Sequence, residues 1–171
     1  PDGEPARLAA PPPRVVALLD ALRPVLAGPD CDADDAWVRR AAGSDAAAWS
    51  EELGRGEDPV ALAAESNVLR RLPVPALAVR AGAGARLAEV VRLLEAAELV
   101  GVPVSLSLDP AVAAALPAVH DDAALAARRR LVACGLRVET PAQAADRVRR
   151  GGPRRLRLAG TSDGLAAAAV A

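Results

Sequence analysis

From residue 75 onward, short β-type runs alternate with amphipathic helical stretches, and this constrains the fold more than any other feature of the chain. A strand, a helical crossover and a second strand form the βαβ unit, so its repetition predicts an α/β fold: a Rossmann-like parallel sheet of about four strands flanked by helices. ALAVRA (76–81) predicts the first strand and VPVSLSL (102–108) the second, in which Val102, Val104, Leu106 and Leu108 alternate with Pro103, Ser105 and Ser107. LRVE (136–139) predicts the third. RRLRLAG (154–160) predicts the fourth, with Leu156 and Leu158 alternating with Arg155 and Arg157 as on an edge or one-sided strand. A half-Rossmann sheet of this kind takes the order 3-2-1-4.

The helices between these strands carry their own signals. Leu87, Val90, Val91 and Leu94 share one face, while Arg86, Glu89, Arg92 and Glu95 are expected to form i,i+3 pairs on the outside. Asp109 and Pro110 break the second strand. Asp121 and Asp122 open a helix that ends in Arg128 to Arg130 and Gly135, which suits the helix dipole at both ends. Thr140, Pro141 and Gln143 supply an N-cap, a first-turn proline and a capping-box partner for a helix over 141–150. The alanine-rich LAAAAVA at the end predicts one more helix and leads us to expect that the natural domain runs further.

Residues 1–66 read differently. They hold 6 Arg against 13 acids, net −7, whereas residues 67–171 hold 15 Arg against 9, net +6. We therefore divide the chain into a Pro-rich lead with an acidic helical segment (1–66) and the Rossmann-like domain (67–171). The lead is expected to be mobile. Val15, Leu18, Leu19 and Leu22 predict a helix that Pro24 ends or kinks; DADDAWVRRAAG predicts a second, stopped by Gly43; Ser44 or Asp45 caps a third that runs through Trp49 to Leu53 and ends at Gly54.

Composition excludes more than it selects. With 171 residues, 52% of them apolar, and a net charge of −1, the chain suits one compact domain and not a disordered one. No apolar run reaches the roughly 18 residues of a membrane helix. The alphabet lacks Lys, Ile, Met, Phe and Tyr, a mark of high-GC coding, and Trp37 and Trp49 are the only aromatics on which bases could stack, so no nucleic-acid partner is expected. Cys31 and Cys134 stand far apart, with no zinc spacing or disulfide framework, which suits a reducing, cytoplasmic setting. No signal-peptide pattern opens the sequence.

Few residues offer chemistry. Gly82 and Gly84 follow the first strand and Asp109 closes the second, the places where a dinucleotide fold turns under a pyrophosphate and receives a ribose hydroxyl. Leu87 occupies the third glycine position, so both glycines serve equally well as a tight turn. His120 is the sole histidine and flanks a helix start, no GxSxG elbow is present, and Cys134 sits in apolar company, so no catalytic residue is assigned. The arginines of DRVRRGGPRRLRL (146–158) could bind phosphate, but a solvated helix end followed by an edge strand is the better reading.

One stretch carries a family resemblance. Glu65, Asn67, Leu69, Arg70 and Pro73 match a pattern close to E-x-N-x-[LF]-R-Y-x-P, with Ser44, Asp45 and Trp49 upstream and GVPVSLS and DDAALAARRRLVACGLRVE downstream. This resembles the C-terminal, aldehyde-dehydrogenase-like region of the bifunctional proline utilization A flavoenzymes, over roughly residues 40–160. Arg71 departs from the pattern, which has Tyr there. The resemblance implies a parent that oxidises proline with FAD and then glutamate semialdehyde to glutamate with NAD. In that family this segment is Rossmann-like and without turnover, and covers an internal tunnel or supports assembly. The catalytic cysteine loop and glutamate base of the aldehyde step have no counterpart here. By resemblance, no cofactor is expected in this segment, the partners are other domains of the same polypeptide or a homo-oligomer, and Glu65, Asn67 and Arg70 fix the connection into the first strand. The alternative is an NAD-binding oxidoreductase fragment using Gly82, Gly84 and Asp109.

Overall fold

A computed structural model of the chain describes residues 7–26, 28–60, 62, 65, 67–151, 155–161 and 165. Helix α1 spans Pro13–Leu22 and passes into a 3-10 turn, Arg23–Leu26, where Pro24 removes the next helical donor. Helix α2 spans Cys31–Ala48 and widens into a π turn, Trp49–Leu53, that ends at Gly54. The α/β part follows as β1 Leu77–Ala81, α3 Leu87–Val100, β2 Val104–Leu108, α4 Pro110–Ala114, α5 Asp122–Ala133, β3 Arg137–Val138, α6 Pro141–Arg149 and β4 Leu156–Ala159. The alanine-rich end lies outside the described residues except for Leu165, which is helical and buried.

The four strands form one all-parallel sheet in the order β3-β2-β1-β4, as expected from the pattern. The chain steps outward from β1 to β3 and then returns past them to set β4 on the far side of β1, so the topological switch point lies between β1 and β4. Val79, Ala81, Leu106 and Leu108 turn into the main core, where they meet Val15, Leu18, Leu22 and Val38 of the N-terminal helices and Val91, Leu94 and Leu131 of α3 and α5. The acidic helical segment thus shares one core with the α/β part. The residues between them on the strands face the other way: Arg80 stands level with Ser107 on β2 and Leu158 on β4. On that side Ala144, Ala145 and Leu165 form a small second cluster.

Three ion pairs join the oppositely charged segments. Arg86 pairs with Asp34, Arg92 Nη2 lies 2.6 Å from Asp45, and Arg71 Nη2 lies 3.8 Å from Glu52. Arg14 of α1 donates to the carbonyls of Glu98 and Leu99, two of the acceptors that the end of α3 leaves open.

Three expectations are corrected. Gly43 does not stop a helix; it sits inside α2, because its missing side chain lets the lead lie close, with Ala9 N–H donating to Gly43 O at 3.0 Å and a Cβ there meeting Ala9 O and Leu8 Cδ2 at 3.4 Å. That contact also holds residues 8 and 9 in place, so the described part of the lead is not a free tail. Glu95 is not outside: it is fully buried, because α3 packs against α1 and α2 as well as against the sheet.

Candidate functional site

The carboxyl ends of the strands are where an open α/β sheet offers a ligand its place. The loop after β1 turns through Gly84, whose φ of +76° suits glycine, while Gly82 is buried. Gly82 N–H donates to Ala159 O at 2.9 Å, and Thr161 N–H donates to Ala83 O at 3.1 Å. Gly160, at φ +72°, lies so close that a Cβ there would sit 2.6 Å from Ala85 N and 2.7 Å from Ala83 O. Backbone therefore fills the switch-point crevice.

The start of α3 is no freer. Glu89 folds its carboxylate back to accept the Arg86 N–H at 3.0 Å, which places a negative charge where a pyrophosphate would need donors. A dinucleotide set here in the usual way would have to displace both that carboxylate and the Gly160 contact.

Asp109 is 7% exposed, and both its oxygens are engaged. Oδ1 accepts the Ala111 N–H at 3.0 Å, capping α4, and Oδ2 accepts from Arg80 Nη2 at 3.3 Å. Each oxygen keeps a second lone pair, but a carboxylate this deeply buried and turned toward Ala111 and Arg80 offers little to a ribose hydroxyl.

Arg80 is the centre of this region and the residue that the sequence reading missed. It is fully buried in mid-strand, and its Nη1 donates to Ser107 Oγ at 3.1 Å and to Glu139 O at 2.9 Å. Ser107 in turn donates to Glu139 Oε2 at 2.6 Å, and Arg147 of α6 grips the same carboxylate through Nε and Nη2 at 3.0 Å each. Burial pushes the Glu139 carboxyl up, but hydrogen bonds from Arg147 and Ser107 and the charges of Arg147 and Arg137 outweigh it and hold it below its usual range. Arg80 Nε has no partner among the described residues. The network joins three strands to α6. An arginine inside the apolar run ALAVRA was the signal that could have revealed it, since a charge in a central strand has to be paired.

The other candidates fall apart in space. His120 is exposed ahead of α5, whose cap is Asp121, accepting the Ala124 N–H at 2.7 Å. Cys134 is half-buried at the end of α5, and burial pushes its thiol up, which disfavours the reactive thiolate. Among the described residues no group of three or more His, Cys, Asp or Glu could hold a metal ion, and no helix is long and apolar enough to cross a membrane. The arginine cluster is divided: Arg147 serves Glu139, Arg149 pairs with Asp146, Arg150 lies 3.6 Å from Asp146, and Arg155, just before β4, and Arg157, on it, stand exposed. An open cleft of about 520 Å³ beside α6 is lined by Glu139, Gln143, Asp146, Arg147 and Arg150, its acids and bases already paired.

Glu65, Asn67 and Arg70 lie exposed on the strap between the π turn and β1. Asn67 Nδ2 donates to Glu65 Oε2 at 3.3 Å, and Asn67 N–H donates to Asp58 Oδ2 at 3.2 Å. The strap is pinned mainly by backbone: Glu57 N–H donates to Leu69 O at 3.0 Å and Leu69 N–H to Glu57 O at 2.7 Å. Arg71, where the family pattern has Tyr, ties it to the π turn by donating to Glu52 O at 3.4 Å.

No family model, no curated protein and no solved structure matches this chain. The reading of function therefore rests on the geometry and on the residues quoted from the sequence.

Proposed function

We propose that the chain is a non-catalytic, Rossmann-like, aldehyde-dehydrogenase-like module of a bifunctional, proline-catabolic flavoenzyme, with a structural role: covering an internal tunnel or supporting assembly. The observation that carries the non-catalytic half is the filled switch point, where Gly160 meets the loop after β1 and Asp109 spends both oxygens inside the fold. The family half is supported by Glu65, Asn67, Leu69, Arg70 and Pro73, with Ser44, Asp45 and Trp49. In this reading FAD and NAD serve the parent enzyme's own active sites, in the cytoplasm, and this module holds neither.

Calorimetric titration with NAD tests the first half. The expected result is no binding tighter than about 1 mM. Micromolar affinity abolished by Asp109→Ala would overturn it and establish an NAD-binding oxidoreductase fragment that uses Gly82 and Gly84. Sequencing the gene on both sides of this segment tests the second half: a flavin barrel and an aldehyde dehydrogenase cysteine loop in the same reading frame are expected, and their absence would remove the family assignment.

A further inference from the structure

The last turns of α3 read LLEAAELV, and the two alanines leave room that larger side chains would fill. Beside Ala96 and Ala97 a cleft of about 250 Å³ opens between α3, the strap and the sheet, with Trp49, Leu77 and Leu93 among its walls. Every described residue that lines it is apolar apart from Arg71 and Arg157. An apolar hollow with a few convergent polar groups is the common form of a small-molecule site.

The two arginines reach it from different elements. Arg157 stands level with Val79, so it lies on the face of the sheet that α3 covers, over the hollow and away from the outer edge of β4. No described carboxylate lines the cleft or pairs with Arg157. Arg71 is held loosely: its Nη1 donates to Glu52 O at 3.4 Å, and its Nη2 lies 3.8 Å from Oε1 of Glu52, whose side chain is largely exposed. Neither arginine caps the end of α3, because Ala97 O accepts the Val102 N–H at 2.9 Å and Arg14 takes Glu98 O and Leu99 O. Two guanidinium groups on one hollow repel each other, and Glu52 alone offsets them weakly. An anion in the hollow would relieve both.

The lining also sets what kind of anion. A guanidinium grips a planar carboxylate through two N–H donors, and the Trp49 ring with Leu77 and Leu93 suits a flat apolar body. The volume takes one ring and is too small for a dinucleotide. We propose that this cleft binds a small aromatic carboxylate, its ring against Trp49 and Leu77 and its carboxylate held by Arg157 and Arg71. The inference does not rest on the proline-pathway reading, and its failure would leave that reading standing.

Benzoate is the probe. In a proton–nitrogen correlation spectrum of the whole chain the indole signals come from two residues, Trp37 on the exposed side of α2 and Trp49 in the cleft, and Trp37→Leu identifies each. Benzoate should shift the Trp49 signal saturably, with a dissociation constant of about 1 mM or below, and leave Trp37 in place. Benzamide keeps the shape without the charge and acetate keeps the charge without the ring, so each should bind at least ~10-fold more weakly. Arg157→Gln removes no contact within the protein and should weaken benzoate at least ~5-fold with the rest of the spectrum unchanged. Ala96→Leu keeps both arginines but fills the hollow, and should abolish the shift. A Trp49 signal that does not move, benzamide binding as tightly as benzoate, or an affinity unchanged in either variant would each overturn the proposal.

Discussion

Replacing Glu95 by Gln should flatten part of the pH dependence of stability. Glu95 is fully buried on α3; Arg92 Nη1 donates to its Oε2 at 2.7 Å, and Oε1 has no partner among the described residues. Arg92 is shared, since its Nη2 lies 2.6 Å from Asp45 on α2. Burial pushes the Glu95 carboxyl up, Arg92 pulls it down, Asp45 adds to the rise, and the balance stands at about 7 against an ordinary 4.5. The folded chain thus holds this proton more tightly than the unfolded chain. The favourable contribution is complete below about pH 4.5 and is lost as pH rises through about 7. The gap corresponds to about 3 kcal/mol, most of it falling between about pH 5 and about pH 8. A glutamine has nearly the shape of the protonated acid and does not titrate. Urea unfolding of both proteins across that range should show Glu95→Gln gaining on the unaltered chain by about 2 to 3 kcal/mol as pH rises. Asp45→Asn should move the loss to lower pH, by removing the repelling charge and leaving Arg92 to Glu95 alone. Curves that stay parallel across the range, or a variant that weakens relative to the unaltered chain as pH rises, would refute the argument.

Two further outcomes test the sheet. Arg80→Met should cost about 3 to 5 kcal/mol in urea unfolding, because it leaves Asp109 buried without its cation and Ser107 Oγ and the Glu139 carbonyl without their donor, and adding Asp109→Asn should recover part of that loss; a cost under about 1 kcal/mol would mean that the network is not structural. Gly160→Ala and Gly84→Ala share a positive φ but not a neighbourhood. The first drives a Cβ to 2.6 Å from Ala85 N and should cost more than about 2 kcal/mol, while the second meets nothing within 4 Å and should cost about 1 kcal/mol, a contrast that thermal melts can resolve.

The fold was legible because its signals are local and agree with one another. The four β-type runs fall where β1 to β4 lie, the Thr140/Gln143 capping box forms as expected, with Gln143 N–H donating to Thr140 Oγ1 at 3.3 Å, and a parallel sheet of right-handed crossovers leaves few orders besides 3-2-1-4. The failures have tertiary causes. Gly43 is a stop signal in isolation and a docking notch in context. Glu95 follows the outward face of an amphipathic helix, but the pattern does not say that a second helical layer covers that face. α4 is too short for any periodicity to show, although Asp109 followed by Pro110 is an N-cap and first-turn proline.

The site was less legible, for a different reason. Gly82, Gly84 and Asp109 were picked out because a tight turn and a strand-ending acid have the same letters whether they face a ligand or the protein's own backbone. What separates the two cases is the fate of the donors and acceptors, and that depends on residues distant in sequence: Arg80 reaches Asp109 across 29 positions and Glu139 O across 59. Once the arginine takes the acid and the carbonyl, and Gly160 closes the turn, the carboxyl edge has become an internal joint between three strands and α6. A buried ionic joint of this kind adds little stability over an apolar core, but it penalises any register that leaves Arg80 unpaired, so it fixes which strand lies beside which.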